Sequence, residues 1–411
     1  MRKTILMLCF LSFGIVLKAQ SLEDYWRMAA ENNPSLKAKF TRYMAALEKV
    51  DQQNTLPDPN LSFGYFISPV ETRVGAQRFK LSLGQMFPWM GTLSAREDLA
   101  VKMAEASYAE FEVARNTLYL NISEVWLQLL ELEEEIQISR QNLNLLKTYE
   151  PITKTKYESN LVSLADLIRV QIRIEEATTQ LELLELKKIP LHSDFNTFLN
   201  RPIESEITLS AMDFLDGGEA NLDSALAINP KITQNQVMSE AAQSQIELSQ
   251  LKRKPNIGLG LDYVMVSKRT DMSVPDNGKD VLMPMATISL PLFGRKNRSQ
   301  IKEAELYKES LSYDAQGIRN EIKNEWTKAE YLSSTAEKEL DLYTNEIRNT
   351  QSLLNVLTSE YSNNSSNFEE LLMTQQRLLQ LQIAQLKAET KLNRALLMKK
   401  YLTGNFLTIE P

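Results

Sequence analysis

The chain carries an internal duplication, and this feature limits its possible fold more than any other. An Asn-Pro pair ends at Pro34, and another ends at Pro230, 196 positions later (230 − 34). A tyrosine followed by a polar turn occurs at Tyr157 and again at Tyr361, 204 positions later (361 − 157). The offset between matching positions grows only from 196 to 204 along the chain. This small growth indicates two copies of one structural unit with a small insertion. We therefore expect a first repeat over residues 21–220 and a second over residues 221–411.

The first 20 residues have the pattern of a cleaved export signal. Arg2 and Lys3 form a basic start, Ile5–Leu17 is an apolar run, and Ala19 is a small residue suited to cleavage. The apolar run is shorter than the roughly 20 residues that a membrane-spanning helix needs. The pattern therefore predicts a signal peptide over residues 1–20 and an exported mature chain.

The composition argues against several functional classes. The formal net charge is −7, which is unfavourable for binding nucleic acid. The one cysteine, Cys9, lies inside the predicted signal peptide, so the mature chain has no thiol for a disulfide, a metal site or a nucleophile. The one histidine, His192, has no second histidine or cysteine with which to share a metal ion. We therefore expect no catalytic site, no metal site and no cofactor.

Each repeat contains two short segments in which apolar residues alternate with small or polar ones, the pattern of a β-strand with one apolar face. The strands are expected at about residues 59–67, 78–87, 255–266 and 282–291. The connecting residues 68–77 and 267–279 contain proline, glycine and charge and are expected to form exposed loops. The residues expected on the apolar, lipid-facing side are Leu61, Phe63, Tyr65, Phe79, Leu81, Leu83, Ile257, Leu259, Leu261, Ile288 and Leu290.

Two environments fit such an apolar face. In a membrane barrel it contacts lipid while the other face borders a polar interior, and in a soluble antiparallel sheet it packs on a core. The predicted signal peptide favours the membrane. Four strands cannot close a membrane barrel, which needs about eight, and an open edge in lipid leaves backbone groups without partners. Several chains would therefore share one barrel, and three chains would contribute twelve strands.

Helical patterns fill most of each repeat. Opening helices are expected over residues 22–55 and 222–251, and long helices over about residues 92–150, 161–189, 299–358 and 368–402. In the first long helix, Leu118, Ile122 and Val125 begin a series with spacings of four and three, which predicts left-handed coiled-coil packing. A helix from Thr92 to Thr148 would be about 85 Å long at 1.5 Å per residue.

In this order, the repeated motifs resemble those of the TolC-like outer membrane efflux proteins (outer membrane factors), including the heavy-metal and drug efflux branch. The resemblance covers essentially the whole mature chain. It rests on the Asn-Pro pairs at Pro34 and Pro230, the strand starts Pro59-Asn60 and Pro255-Asn256, the strand ends Phe87-Pro88-Trp89 and Leu290-Pro291-Leu292-Phe293-Gly294, and the turns after Tyr157 and Tyr361. The family turn often has glycine where this chain has Asn160 and Asn364, but asparagine also tolerates left-handed backbone angles.

The resemblance implies a mostly α fold with a membrane β-barrel portion. Four strands per chain would share a twelve-stranded barrel in the outer membrane of a homotrimer, and the coiled-coil helices would form a periplasmic α-barrel. An equatorial collar would come from residues 202–223 and the tail after residue 404. The implied function is a passive outer membrane channel in a tripartite efflux or export system, not an enzyme. Its implied partners are a periplasmic adaptor (membrane fusion protein) and an inner-membrane pump, and the pump selects the metal, drug or protein that is carried.

Two sets of residues are candidate sites under this resemblance. In a trimer, Asp166, Glu369 and Glu370 would form acidic rings near the inner end of the cylinder, and we expect them to contribute to a closed aperture. Acidic residues in the first turn of a helix also complement the helix dipole, which explains them without a gate. The residues expected at the tips, where an adaptor would dock, are Asn160, Leu161, Val162, Ser163, Ser365, Ser366, Asn367 and Phe368. Packing of each tip on a neighbouring helix is the alternative.

Two other functions remain open. A periplasmic or surface coiled-coil scaffold without channel activity would be soluble without detergent, but it leaves the alternating strands without a role. An envelope hydrolase or binding protein would be a compact monomer, which the long unbroken heptads disfavour.

Overall fold

The computed structural model describes residues 21–210, 221–363, 368–404 and 406. The predicted signal peptide, part of the predicted collar, Asn364 and the tip residues Ser365, Ser366 and Asn367 lie outside this range. The elements in chain order are α1 (Leu22–Asn32), α2 (Pro34–Gln53), β1 (Asn60–Thr72), β2 (Gly75–Phe87), α3 (Thr92–Glu158), α4 (Leu164–Phe198), α5 (Leu222–Ile228), α6 (Pro230–Leu251), β3 (Asn256–Ser267), β4 (Val281–Ser289), α7 (Gly294–Ser362) and α8 (Phe368–Leu402). The same order of two helices, two strands and two long helices occurs in both repeats.

The Asn-Pro pair of each repeat separates two helices. The Asn33 side chain accepts a hydrogen bond from Leu36 N at 3.1 Å, and the following proline takes the first helical position of α2, where its missing N–H has no cost. Asn229 caps α6 in the same way, accepting from Lys231 N at 2.9 Å. The single opening helices expected over residues 22–55 and 222–251 are therefore each divided in two, because the residue before a proline disfavours helical angles.

The first two strands form a tight hairpin. β1 continues to Thr72 and β2 begins at Gly75, so the exposed loop expected over residues 68–77 is largely strand. Gly75 has a φ of +135°, and a Cβ at this position would lie 1.8 Å from the Ser267 carbonyl oxygen. Only glycine fits at this corner. The link between β3 and β4 is longer, since residues 268–280 form no strand.

The four strands form one antiparallel sheet in the order β1-β2-β3-β4. Its centre is the pairing of β2 with β3, which places Phe87 opposite Ile257 and Ala76 opposite Ser267. These strands belong to different repeats, so the sheet joins the two copies. β1 and β4 are its edges, and each has a strand partner on one side within the described residues.

Beyond the sheet, each repeat extends as a pair of antiparallel helices. α3 has 67 residues and α7 has 69, about 100 Å each at 1.5 Å per residue, while α4 and α8 return with 35 residues each. α3 passes Pro151 and α4 passes Pro190, so both end later than the expected helices at 92–150 and 161–189. Within the described ranges, no helix has both the length and the hydropathy for a membrane crossing.

A large buried cluster lies where α1 packs on the middle of α3. Trp26 is almost fully buried, and its indole N–H donates to Ser123 Oγ at 3.1 Å. Phe406 packs edge-on against Trp26, with 5.1 Å between the ring centroids. In the described part of the predicted collar, Thr208 N donates to the Tyr25 hydroxyl at 3.1 Å. Segments from both ends of the chain and from the connection between the repeats thus meet at one level along the long helices.

Candidate functional site

The turn between α3 and α4 is closed by a left-handed asparagine. Asn160 has a φ of +56°, its N–H donates to Tyr157 O at 2.9 Å, and Leu161 N donates to Lys156 O at 2.8 Å. These two bonds form a Schellman motif, which satisfies the last carbonyl groups of a helix. The expectation that asparagine replaces the usual glycine here is confirmed at Asn160.

The first residues of α4 form a capping box. Ser163 Oγ accepts from Asp166 N at 3.2 Å, and Asp166 Oδ2 accepts from Ser163 N at 3.1 Å. Arg169 also donates to Asp166 Oδ1 at 3.1 Å. Asp166 thus caps the start of α4, where its negative charge also complements the helix dipole.

An ion pair joins the beginnings of the two returning helices. Arg169 Nη2 in α4 lies 3.3 Å from Glu369 Oε2 in α8. Because the same arginine also binds Asp166, it lies between the two predicted acidic positions. Glu370, the third of these positions, is exposed. The structure thus brings Asp166 and Glu369 together through the side chain of Arg169. This positive charge lowers the net negative charge expected at the start of the two returning helices.

A second set of contacts joins the end of α3 to the end of α7. Lys156 Nζ lies 4.2 Å from the centre of the Tyr361 ring and also donates to the Tyr361 carbonyl oxygen. The Tyr361 hydroxyl lies 3.3 Å from Thr153 Oγ1. Burial raises the pKa of Tyr361, and the negative charge of Asp166 adds to the shift. The hydroxyl is therefore neutral at physiological pH and available for hydrogen bonding.

Phe368 lies in the core between the hairpins and not on the exposed tip. It is 3% exposed, with its ring centroid 4.8 Å from that of Tyr361 and 6.5 Å from that of Tyr149. This correction to its expected position has a physical reason: three helices converge here and offer an aromatic cluster whose burial outweighs exposure at the tip. Leu161, in contrast, is 56% exposed, and Val162 is partly covered by the same core.

One face of the sheet is apolar and exposed. The register aligns Phe63 with Leu81 and Leu81 with Tyr263, so apolar side chains form rows across the strands. All residues expected on this face are exposed except Phe79, which is half-buried. Leu290 is exposed one residue beyond the end of β4.

The opposite face carries small and polar side chains in its first three strands, with valine and methionine among them. One row runs from Ser62 through Ser82 and Asp262 to Met283. The next row runs from Gly84 through Gly260 to Met285. The alternation along the strands thus separates two surfaces of different chemistry, as period-two patterning requires.

Sequence reasoning missed the basic and hydroxyl side chains that hold the two hairpins together. Thr153, Lys156 and Arg169 carry no motif, and their partners lie about 200 positions away in the other repeat. The available signal was the repeated tyrosine itself, which marks the same turn in both copies. Among the described residues there is no cluster of three His, Cys, Asp or Glu side chains suited to a metal ion.

Comparison with protein families gives a match in both repeats, and comparison with curated proteins gives a relative over part of the chain. A family model described as "Outer membrane efflux protein" matches residues 26–188 and 221–403. The pyoverdine export outer membrane protein OpmQ of Pseudomonas putida is 23% identical over 180 residues, which are 43% of this chain and 38% of OpmQ. The matched region therefore spans well under half of that relative.

Solved structures share the fold over nearly the whole chain. A membrane protein from Pseudomonas aeruginosa is 18% identical, with a TM-score of 0.77 over 93% of this chain and 92% of the other. The outer membrane protein VceC of Vibrio cholerae is 17% identical, with a TM-score of 0.76 over 93% of this chain and 96% of the other. These likenesses confirm the predicted fold class, a mostly helical chain with a small sheet and an internal duplication.

Proposed function

Because the chain belongs to the outer membrane efflux protein family, we propose that it is the outer membrane channel of a tripartite efflux or export system. A protein of this family lies in the outer membrane with a large periplasmic part and acts in transport, not in catalysis. In our proposal three copies form a passive duct. A periplasmic adaptor and an inner-membrane pump deliver the substrate and supply the energy.

The open sheet is the observation that carries the proposal. Its apolar face exposes large side chains, among them Phe63 at 67% and Ile288 at 63%, and its edges are β1 and β4. Pairing β4 of one copy with β1 of the next satisfies both edges, and three copies then close a ring of twelve strands. The apolar face contacts lipid in this arrangement, and the face with Ser62 and Ser82 borders the interior.

The hairpin contacts supply the closed state of the periplasmic end. Lys156 binds Tyr361, and Arg169 binds Glu369, so each copy holds its two hairpins together near the tips. We place the gate in these contacts, with rings of Asp166, Glu369 and Glu370 beside them. Separation of the hairpins breaks the contacts and widens the aperture.

The adaptor is proposed to dock at the tips of the two hairpins. The docking residues are Asn160, Leu161, Val162 and Ser163 of the turn after α3, together with Ser365, Ser366 and Asn367, which lie outside the described residues. The exposed apolar side chain of Leu161 supports a protein partner, since a large apolar side chain at a turn gains from being covered. Docking there acts directly on the ends of the helices that must move apart.

The test is extraction of the full-length protein from outer-membrane fractions with detergent, followed by mass determination and conductance measurement in planar bilayers. We expect a trimer that conducts. A monomer that remains soluble without detergent and does not conduct would favour the coiled-coil scaffold instead. A conducting assembly of another size would contradict the twelve-stranded barrel but not the channel.

A further inference from the structure

The strands contain few ionised side chains, and two of them form a pair within the sheet. The described strand ranges contain four residues of the types Asp, Glu, Lys and Arg: Glu71, Arg78, Lys80 and Asp262. Glu71 lies opposite Ala76 at the β1–β2 corner, and Arg78 lies at a register shift near the same end. Lys80 and Asp262 lie further along the strands, where the register is regular.

The register explains why these two residues meet. Ser82 is opposite Asp262 and Lys80 is opposite Val264, so Lys80 and Asp262 are diagonal neighbours on one face, a spacing that long side chains bridge. Lys80 Nζ forms a salt bridge with Asp262 Oδ2. The pair joins the first repeat to the second on the face opposite the apolar rows.

The two partners differ in their access to solvent. The Asp262 side chain is 0% exposed, whereas that of Lys80 is 37% exposed. A carboxylate that is removed from water is stable only when it is paired. Lys80 therefore neutralises the carboxylate of Asp262, and the pair as a whole adds no net charge to this face.

From this arrangement we propose that the Lys80–Asp262 pair determines the charge selectivity of the barrel section of the duct. The inference rests on the proposed trimeric channel, in which the pair repeats three times around the interior. Each lysine screens one carboxylate, so the wall at this level attracts neither cations nor anions, and solutes of either sign can pass. Without the lysine, three carboxylates form a ring that favours cations. Without the carboxylate, three ammonium groups favour anions.

The proposal is tested by the permeability ratio of K⁺ to Cl⁻, measured from reversal potentials of the purified channel under a KCl gradient. Lys80→Met is expected to raise the ratio at least about threefold, and Asp262→Asn to lower it by a similar factor, as expected for charges that border the aqueous path. The double variant removes both charges and should return the ratio to that of the wild type. Lys279→Met is the matched control, because Lys279 lies in the exposed link before β4 and pairs with Asp276 at 3.6 Å.

The outcomes separate this inference from the proposed function. A wild-type protein that does not conduct would overturn both. A conducting wild type in which neither single variant changes the ratio would overturn the inference and leave the channel intact. Lys80→Met leaves the carboxylate of Asp262 without its partner and is the variant at risk of not assembling. In that case Asp262→Asn decides alone, since it removes the carboxylate and keeps the partly exposed lysine.

Discussion

The ammonium group of Lys156 lies over the ring of Tyr361, 4.2 Å from its centre. Lys156 belongs to the last turns of α3 in the first repeat, and Tyr361 lies at the end of α7 in the second. The two residues are 205 positions apart, so the contact holds one hairpin against the other. Any movement that separates the hairpins must break it.

Replacing Lys156 with methionine is expected to favour separated hairpins. A cation–π contact contributes about 0.5–2 kcal/mol, so its loss raises the population of the separated state roughly two- to thirtyfold. Single-channel recordings should show a matching rise in open probability. Lys154→Met, at an exposed position of the same helix, is the control. An open probability equal to that of the wild type in both variants would remove Lys156 from the gate.

Tyr361 makes stability sensitive to alkaline pH. Its pKa in the folded protein is raised above the usual 10.0, so the folded state holds this proton more tightly than the unfolded state does. The associated stability is complete below pH 10 and is lost as the pH rises to the raised pKa. Unfolding midpoints measured from pH 8 to pH 12 should fall less steeply for Tyr361→Phe than for the wild type.

Part of the loss of stability at alkaline pH should persist in Tyr361→Phe. Burial also raises the pKa of Tyr119 and Tyr149, and both remain when Tyr361 is replaced. Identical pH profiles of the unfolding midpoint for Tyr361→Phe and the wild type would show that the Tyr361 hydroxyl does not contribute to the loss of stability at alkaline pH.

The turn at Asn160 should accept glycine but reject a β-branched residue. With a φ of +56°, Asn160→Val is expected to cost about 1–2 kcal/mol, because a Cβ branch is unfavourable in the left-handed region. Asn160→Gly should be neutral or slightly stabilising. Limited proteolysis, read as the rate of cleavage within residues 158–163, compares the two. Equal rates in both variants would argue against a strained turn.

Phe368 should matter through packing and not through contact with a partner. Phe368→Ala removes a buried aromatic side chain and is expected to cost about 3–5 kcal/mol, measured as a fall in the free energy of unfolding. Met373→Ala, at a position that is 57% exposed, should cost little. If Phe368→Ala leaves stability unchanged but weakens adaptor binding, the residue is part of the docking surface after all.

The two faces of the sheet should respond differently to charge. Phe63→Arg places a cation on the apolar face and is expected to cost about 2–4 kcal/mol per chain in a bilayer. Ser62→Arg places the same charge on the opposite face, where an aqueous interior accepts it. The amount of trimer in outer-membrane fractions should fall for the first variant and not for the second. Equal losses would contradict the assignment of the faces.

Part of the architecture follows from sequence pattern because it depends on local rules. The Asn-Pro pairs, the period-two strands and the heptads each reflect backbone or side-chain geometry that is determined within a few residues. The long strands of the first hairpin could not be predicted in the same way. Gly75 is required by the Ser267 carbonyl group of a distant strand, and residues 68–77 look like a loop in isolation.

The candidate site shows the same limit. The capping role of Asp166 was available from sequence, because Ser163 lies three residues before it. The burial of Phe368 and the ion pair of Arg169 with Glu369 depend on how two hairpins approach each other. The spacing of residues within one hairpin does not predict how that hairpin packs against the other.

The pairing of β2 with β3 also has a consequence for the order of folding. Phe87 and Ile257 are 170 positions apart in the chain (257 − 87) and adjacent in the sheet. Closing a flexible loop of that length costs about 4.5 kcal/mol in chain entropy, before any constant contribution. The antiparallel return of α4 along α3 shortens the effective loop, so these helices are expected to form before the central strands pair. A nascent chain that has been exported only as far as the first repeat holds the β1–β2 hairpin, in which β2 has no partner on its second side. The sheet can be completed only after β3 of the second repeat has been exported.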